Sequence, residues 1–194
     1  EPLNYSMTGY VLRKWYHPMD ALKGASARVM DKVYPILRYA EILLNYAEAL
    51  NNLTTVHKVD IDGQSYSFSR DKAEIRWAFN QIRHRAGLPG LTEDELNDAN
   101  VVQKLIEQER MVEFMHENRR YYDVRRWGIY EETEREPIMG MNTDASDKDA
   151  FYQRTMPGSA AIHGRLVDRK LMFVPIPRSE LRRLPSLDQN PGWN

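Results

Sequence analysis

Between Asn100 and Trp127 the chain carries four acids, Glu107, Glu109, Glu113 and Glu117, and then Arg119, Arg120, Arg125 and Arg126 interleaved with Tyr121, Tyr122, Asp123 and Trp127. Acids and arginines at this density form either a paired network or a reactive centre, because an unpaired buried charge costs several kcal/mol. A carboxylate pair of the glycosidase kind is compatible with so many acids. Every candidate acid, however, has an arginine nearby in sequence. Such pairing lowers a carboxyl pKa, the wrong direction for a general acid. Structural ion pairing is therefore the reading preferred, and no catalytic residue is assigned. Glu109 falls between Leu105 and Val112, near the apolar side of its helix, and needs a cationic fork as partner. The expected pairs are Glu109 with Arg119 or Arg120, and Asp123 with Arg126. Arg110, Glu113 and Trp127 complete the structural network.

Other chemistries lack their signatures. His116-Glu117 begins like a zinc-protease helix, but Arg120 stands where the second His is required. The five His, at 17, 57, 84, 116 and 163, show no ligand spacing, and the chain has no Cys. Thiol nucleophiles, disulfides and thiolate metal sites are thereby excluded. Neither a Gly-rich phosphate loop nor a GxSxG elbow is present. Asp60-x-Asp62-Gly63 is too short for a calcium loop. No metal or cofactor is expected. A net charge of −1, with 28% charged residues, argues against nucleic acid as a partner. No apolar run approaches the roughly 20 residues of a membrane helix.

The elements that must position these groups are mainly helical. Pro35 to Leu53 repeats Ile36, Tyr39, Ala40, Leu43, Ala47 and Leu50 at helical spacing, with Pro35 in the first turn. Glu41 and Glu48, seven apart, either pair with arginines on a neighbouring helix or face solvent. Val56, Val59, Ile61, Tyr66 and Phe68 flank a turn at Asp60 to Gly63, which suits a small hairpin. Asp71 to Ala86 forms a second helix on Ile75, Phe79, Ile82 and Ala86, stopped by Gly87 and Pro89. Thr92 and Glu95 have capping-box spacing. Asn100 and Gln103 repeat it and open the long helix, whose apolar side is Val101, Val102, Leu105, Ile106, Val112 and Met115. Asn118 caps a further helix that runs through Trp127 to Gly128.

Outside this core the pattern weakens. Residues 1–33 read as irregular, with a short strand in TGYVLRKWY. Residues 129–165 read as long loops with a turn or two of helix, and loops of that length are often functional. LMFVPI (171–176), a helical turn at SELRRL, and a Pro- and Gly-fixed tail ending in Trp193 follow. Eleven Tyr and four Trp against five Phe suit either binding surfaces or ordinary helix–helix contacts. Trp15 and Tyr16, in the loop before the first long helix, and Tyr66, in the loop after it, are the candidate ligand-stacking side chains.

Several stretches together resemble the C-terminal half of SusD/RagB-family proteins. They are Arg38-Tyr39-Ala40-Glu41-Ile42 with Ala47-Glu48-Ala49, Asn80-x-Ile82-Arg83-x-Arg85-Ala86-Gly87-Leu88-Pro89, and Glu109-Arg110 with Glu113. Arg119 to Asp123 with Arg125-Arg126-Trp127-Gly128, Phe173-Val174-Pro175-Ile176-Pro177 with Glu180-Leu181, and Gln189-Asn190-Pro191-Gly192-Trp193 continue the series. Glu117-Asn118 departs from the family's usual Glu-Gly, and Phe114 from its frequent Leu. The family is also more than twice this long. The resemblance implies an all-α, SusD-like fold of tetratricopeptide-type helix pairs with long irregular loops. The helical core would run from about 35 to 127, followed by loops and a docking tail over 128–194. It also implies that the chain is the C-terminal part of a larger protein.

The role implied is non-catalytic: capture of glycans, or in some members peptides, at the outer-membrane surface of Bacteroidetes-type bacteria. The captured ligand passes to a SusC-like TonB-dependent transporter, and a lipid anchor upstream supplies the membrane attachment. The family offers no common sugar-binding motif to carry over. An intracellular helical-repeat scaffold and a carboxylate-based glycoside hydrolase are the alternatives.

Overall fold

The computed structural model describes residues 6–21, 24, 27–158 and 165–193. The chain divides into two compact units, residues 34–123 and residues 1–33 with 124–194.

The unit spanning 34–123 is built on helix α1 (Tyr39–Asn51), which packs against α2 (Lys72–Arg85) and α4 (Ala99–Glu113), with a short α3 (Glu93–Asn97) between the last two. Its core consists of Leu43, Leu44 and Ala47 from α1, Ile75, Ala78, Phe79 and Ile82 from α2, Leu96 from α3, and Val102 and Ile106 from α4, closed by Phe114. Each large apolar side chain so buried contributes roughly 1.5–3 kcal/mol. Ala47 and Ala78 are fully enclosed, consistent with small residues letting helices approach closely.

The ends of α2 follow from local chemistry. The Asp71 carboxylate accepts from the backbone N–H of Ala73 and Glu74. At the other end Gly87 N–H donates to His84 O, and Leu88 N–H to Arg83 O, the paired bonds of a Schellman stop. Thr92 and Glu95 make the reciprocal capping box expected of them.

Three helical expectations are corrected. Helix α1 starts at Tyr39 rather than Pro35, because Arg38 is extended (φ −127°, ψ 154°). The buried face consequently runs through Ala40, Leu43, Leu44, Ala47 and Glu48, while Ile36 and Tyr39 lie exposed. Helix α4 is capped by Asp98, which accepts from Asn100 N–H, and not by an Asn100–Gln103 box. Val101, Val112 and Met115 are exposed, since α4 turns Glu109 and Arg110 inward beside Val102 and Ile106. Asn118, ahead of α5 (Arg119–Arg126), has φ +61°, a left-handed conformation outside the extended region of an ordinary N-cap.

Strands β1 (His57–Ile61) and β2 (Gln64–Phe68) pair antiparallel across Asp62-Gly63, both at positive φ (51° and 78°). Two successive positive φ values define the type I′ turn that matches strand twist, and Gly at the second position adopts it without strain.

In the other unit the expected strand around Val11 is absent among the described residues. The segment folds instead into turns closed by Tyr16 N–H to Arg13 O (3.0 Å) and Asp20 N–H to His17 O (2.9 Å). A strand needs a partner ladder, and the described residues show an isolated bridge of Ala21 with Arg28 and a single bond from Met141 N–H to Thr8 O (2.8 Å). Further along lie α6 (Tyr130–Arg135), a two-residue pairing of β3 (Gly140–Met141) with β4 (Arg154–Thr155), α7 (Lys148–Phe151), a 3-10 turn at Arg169–Met172 and α8 (Arg178–Arg183). The expected loops with short helical turns are thus seen over the described part of 129–165; His163 lies outside the described residues.

The tail folds back on the 3-10 turn. Trp193 Nε1 donates to Lys170 O (2.9 Å) and Phe173 O (3.1 Å), Asn190 Nδ2 to Val174 O (2.6 Å), and Gln189 both accepts from and donates to the Ile176 backbone. A Cβ on Gly192 would meet Lys170 Cβ at 2.7 Å, so this close approach requires glycine. Among the described residues no helix is long and apolar enough to cross a membrane.

Candidate functional site

Within the 34–123 unit the acids and arginines pair across helices. Arg38 places Nε and Nη2 on the two Glu117 oxygens (2.9 Å each) and Nη1 on Glu113 Oε1 (2.7 Å). Arg85 takes the other Glu113 oxygen. Arg110 offers a two-pronged fork to Asp123 (2.9 and 3.0 Å) and donates to Asn45 (2.7 Å). The Arg38 and Arg110 guanidinium carbons both stand over the Phe114 ring, 5.1 and 5.2 Å from its centroid.

One expected pairing changes partner, and a second acid takes a fork from an arginine the sequence did not single out for it. Glu109 binds Arg83 of α2 (3.2 Å), not Arg119 or Arg120. Asp123, which the sequence sets against Arg126, receives the fork of Arg110. Arg119 instead holds Glu41 (2.8 Å) and the Ile36 carbonyl. Arg126 lies over the adjacent Trp127 ring, 4.5 Å from its centroid. For Glu109 the reason is geometric: the core that α2 and α4 share brings Arg83 of α2 to Glu109 of α4. No sequence signal names the partner; Glu109 was marked as needing one, whereas Glu41 was left open between pairing and solvent.

These pairs govern protonation. Burial pushes Glu113 upward, but the hydrogen bonds from Arg85 and Arg38 outweigh it and hold its carboxyl below the ordinary range. For Arg38, burial acts downward and is outweighed by Glu117 and Glu113, which raise it. Glu113 is thus tuned away from general-acid chemistry.

The candidate stacking residues sit in different settings. Trp15 is half-buried and Tyr16 is exposed, at the end of the Arg13–Tyr16 turn. Tyr66 lies on a strand of the hairpin, opposite Val59, and its hydroxyl donates to Gln64 Oε1 (3.1 Å). Its ring is nearly parallel to that of Phe68 (12°, centroids 6.3 Å apart), so the two form an aromatic pair that single-residue reading missed. Period-two spacing on a strand was the available signal. Both hairpin faces are exposed throughout.

The unit containing the tail has a cavity of about 820 Å³. Met172, Phe173 and the Pro191-Gly192 turn line it, and Glu131, Asp168, Arg169 and Lys170 supply charge. Sequence reading did not find it, because its lining comes from three separated segments.

The SusD family model matches residues 1–193, almost the whole chain. The chain belongs to the SusD family. Among solved structures, a SusD-like protein from Bacteroides fragilis is similar to it, with 34% identity and a TM-score of 0.60. That match covers 82% of this chain and 26% of the B. fragilis chain, so the present sequence spans about a quarter of that SusD-like protein. No curated protein matches. Membership and the mainly helical structure agree with the all-α, SusD-like architecture expected from the motifs.

Proposed function

We propose that this chain is the C-terminal part of a larger SusD-family protein that captures glycans at the cell surface and delivers them to a SusC-like TonB-dependent transporter. Attachment to the outer membrane is through a lipid anchor upstream, and the part played by this chain is binding, not catalysis. Membership in the SusD family is the observation that carries this reading.

The surfaces agree with it physically. Sugar rings present C–H faces that pack on aromatic rings, while hydroxyls exchange water hydrogen bonds for side-chain ones at little net gain. Tyr66 with Phe68, and Trp15 with Tyr16, are the aromatic surfaces assigned to stacking. The carboxylates of the network are already spent on arginines, which disfavours the hydrolase alternative.

Titration calorimetry against neutral polysaccharides and peptides, with Trp15→Ala and Tyr66→Ala, tests the proposal. Saturable glycan binding lost in either variant, without product release, is expected. No binding by a chain that unfolds cooperatively would move the site outside this segment or favour a scaffold role. Release of shortened sugar would point to the hydrolase instead.

A further inference from the structure

Charge in the tail-walled cavity is unevenly committed. Four ionisable residues line it, two acids and two bases. Glu131 is paired one helical turn along with Arg135 (2.9 Å). Asp168 caps the 3-10 turn by accepting from Lys170 N–H (3.0 Å) and stands 3.9 Å from Lys170 Nζ. Lys170 Nζ lies 5.1 Å from the centre of the Trp193 ring. Arg169 differs: it is exposed, and its side chain has no ion-pair or hydrogen-bond partner among the described residues. The least committed charge lining this cavity is therefore the Arg169 guanidinium. It stands beside the half-exposed ring of Phe173 and the Met172 side chain.

We propose that this cavity is a subsite for an acidic saccharide, with Arg169 taking the carboxylate of a uronic acid and Phe173 taking the C–H face of its ring. A guanidinium presents parallel N–H donors that match a carboxylate, and a charge-assisted pair is roughly twice as strong as a neutral hydrogen bond. The volume lies within the roughly 300–1,000 Å³ of ordinary small-ligand sites. The tail wall is held by the Trp193, Asn190 and Gln189 bonds, so the subsite is largely formed before a ligand arrives. This assignment rests on the glycan-binding reading above and narrows its substrate class.

The test is calorimetry of the chain with trigalacturonate, its methyl ester, a neutral maltooligosaccharide, and an N-acetylated aromatic amino acid bearing a free carboxylate. The acid form should bind, its ester about tenfold more weakly, and added salt should weaken the acid form alone. Arg169→Ala should lose about tenfold, Arg169→Lys less, and Phe173→Ala should weaken acid and ester alike. Among the described residues the Arg169 side chain makes no hydrogen bond or ion pair, so both Arg169 variants should unfold as the parent does. Equal binding of acid and ester, an unchanged Arg169→Ala, or no uronate binding by a cooperatively folded chain would overturn the subsite. So would binding of the amino acid derivative without the uronate. Neutral-sugar binding that persists in Arg169→Ala and fails in Tyr66→Ala would leave the general glycan reading standing while this one fell.

Discussion

Replacing Asp123 by Asn keeps the side-chain volume and removes one charge from a deeply enclosed ion pair. The Arg110 and Asp123 side chains are only 4% and 5% exposed. Arg110 directs Nε and Nη2 at the carboxylate and Nη1 at Asn45, so the substitution leaves two donors facing an amide and a guanidinium charge without its counterion. Breaking a buried pair from one side costs about 3–5 kcal/mol, a large part of the about 5–15 kcal/mol that holds a typical domain folded. Urea unfolding followed by far-ultraviolet circular dichroism should show that loss in Asp123→Asn. Removing both partners, as Arg110→Met with Asp123→Leu, should recover most of it, because the desolvation penalty leaves with the charges. Arg135→Ala is the control: its pair with Glu131 joins side chains 62% and 37% exposed and should be worth about 0.3–0.5 kcal/mol. An Asp123→Asn variant within about 1 kcal/mol of the parent would refute the argument, since the pair would then behave as a solvated one.

Three further outcomes are expected. Asp71→Ala removes the acceptor for Ala73 and Glu74 N–H and should cost about 1 kcal/mol in the same unfolding assay, with Asp71→Asn restoring most of it. Asp20 has its pKa lowered from 3.8 to about 2, first by the Lys32 hydrogen bond and then by the Met30 backbone N–H. Its contribution is therefore present above the unfolded value and lost as pH falls from about 4 towards 2. A carboxyl carbon titration by NMR should find that midpoint, and Lys32→Ala should raise it. Gly192→Ala must fit a Cβ 2.7 Å from Lys170 Cβ at a φ of +84°, so the tail should detach and Trp193 fluorescence should shift to the red; an unshifted spectrum would show that the tail accommodates it.

Legibility in the sequence tracked the range of the interaction. The α2 boundaries, the Thr92–Glu95 box and the Asp62-Gly63 hairpin were all readable, because each is decided by residues a few positions apart. The start of α1 was misplaced because Pro35 and Ile36 satisfy helical rules locally, while Arg38 is held extended by a fork on Glu117, 79 residues away. Ion pairs behaved likewise. That Glu109 needs a cation follows from its place beside Leu105 and Val112, but Arg83 reaches it only through the packing of α2. Cavities are less readable still: Gly128, Arg169 and Gly192 become neighbours only after the tail returns.

The same distinction explains why the family could be read from the sequence while the ligand could not. The motif charges Arg38, Glu41, Arg83, Glu109, Arg110, Glu113 and Asp123 are consumed inside the molecule. A guanidinium whose fork already faces a carboxylate cannot donate those protons to a sugar without breaking a pair worth keeping, so such residues report architecture. The proposed recognition therefore uses groups with unspent capacity: the Tyr66–Phe68 rings, the Tyr16 face, and Arg169 beside Phe173. None of these except Phe173 belongs to a stretch that carries the resemblance. Changing Arg169 should therefore alter what the chain holds without altering its stability, and changing Asp123 should alter its stability first.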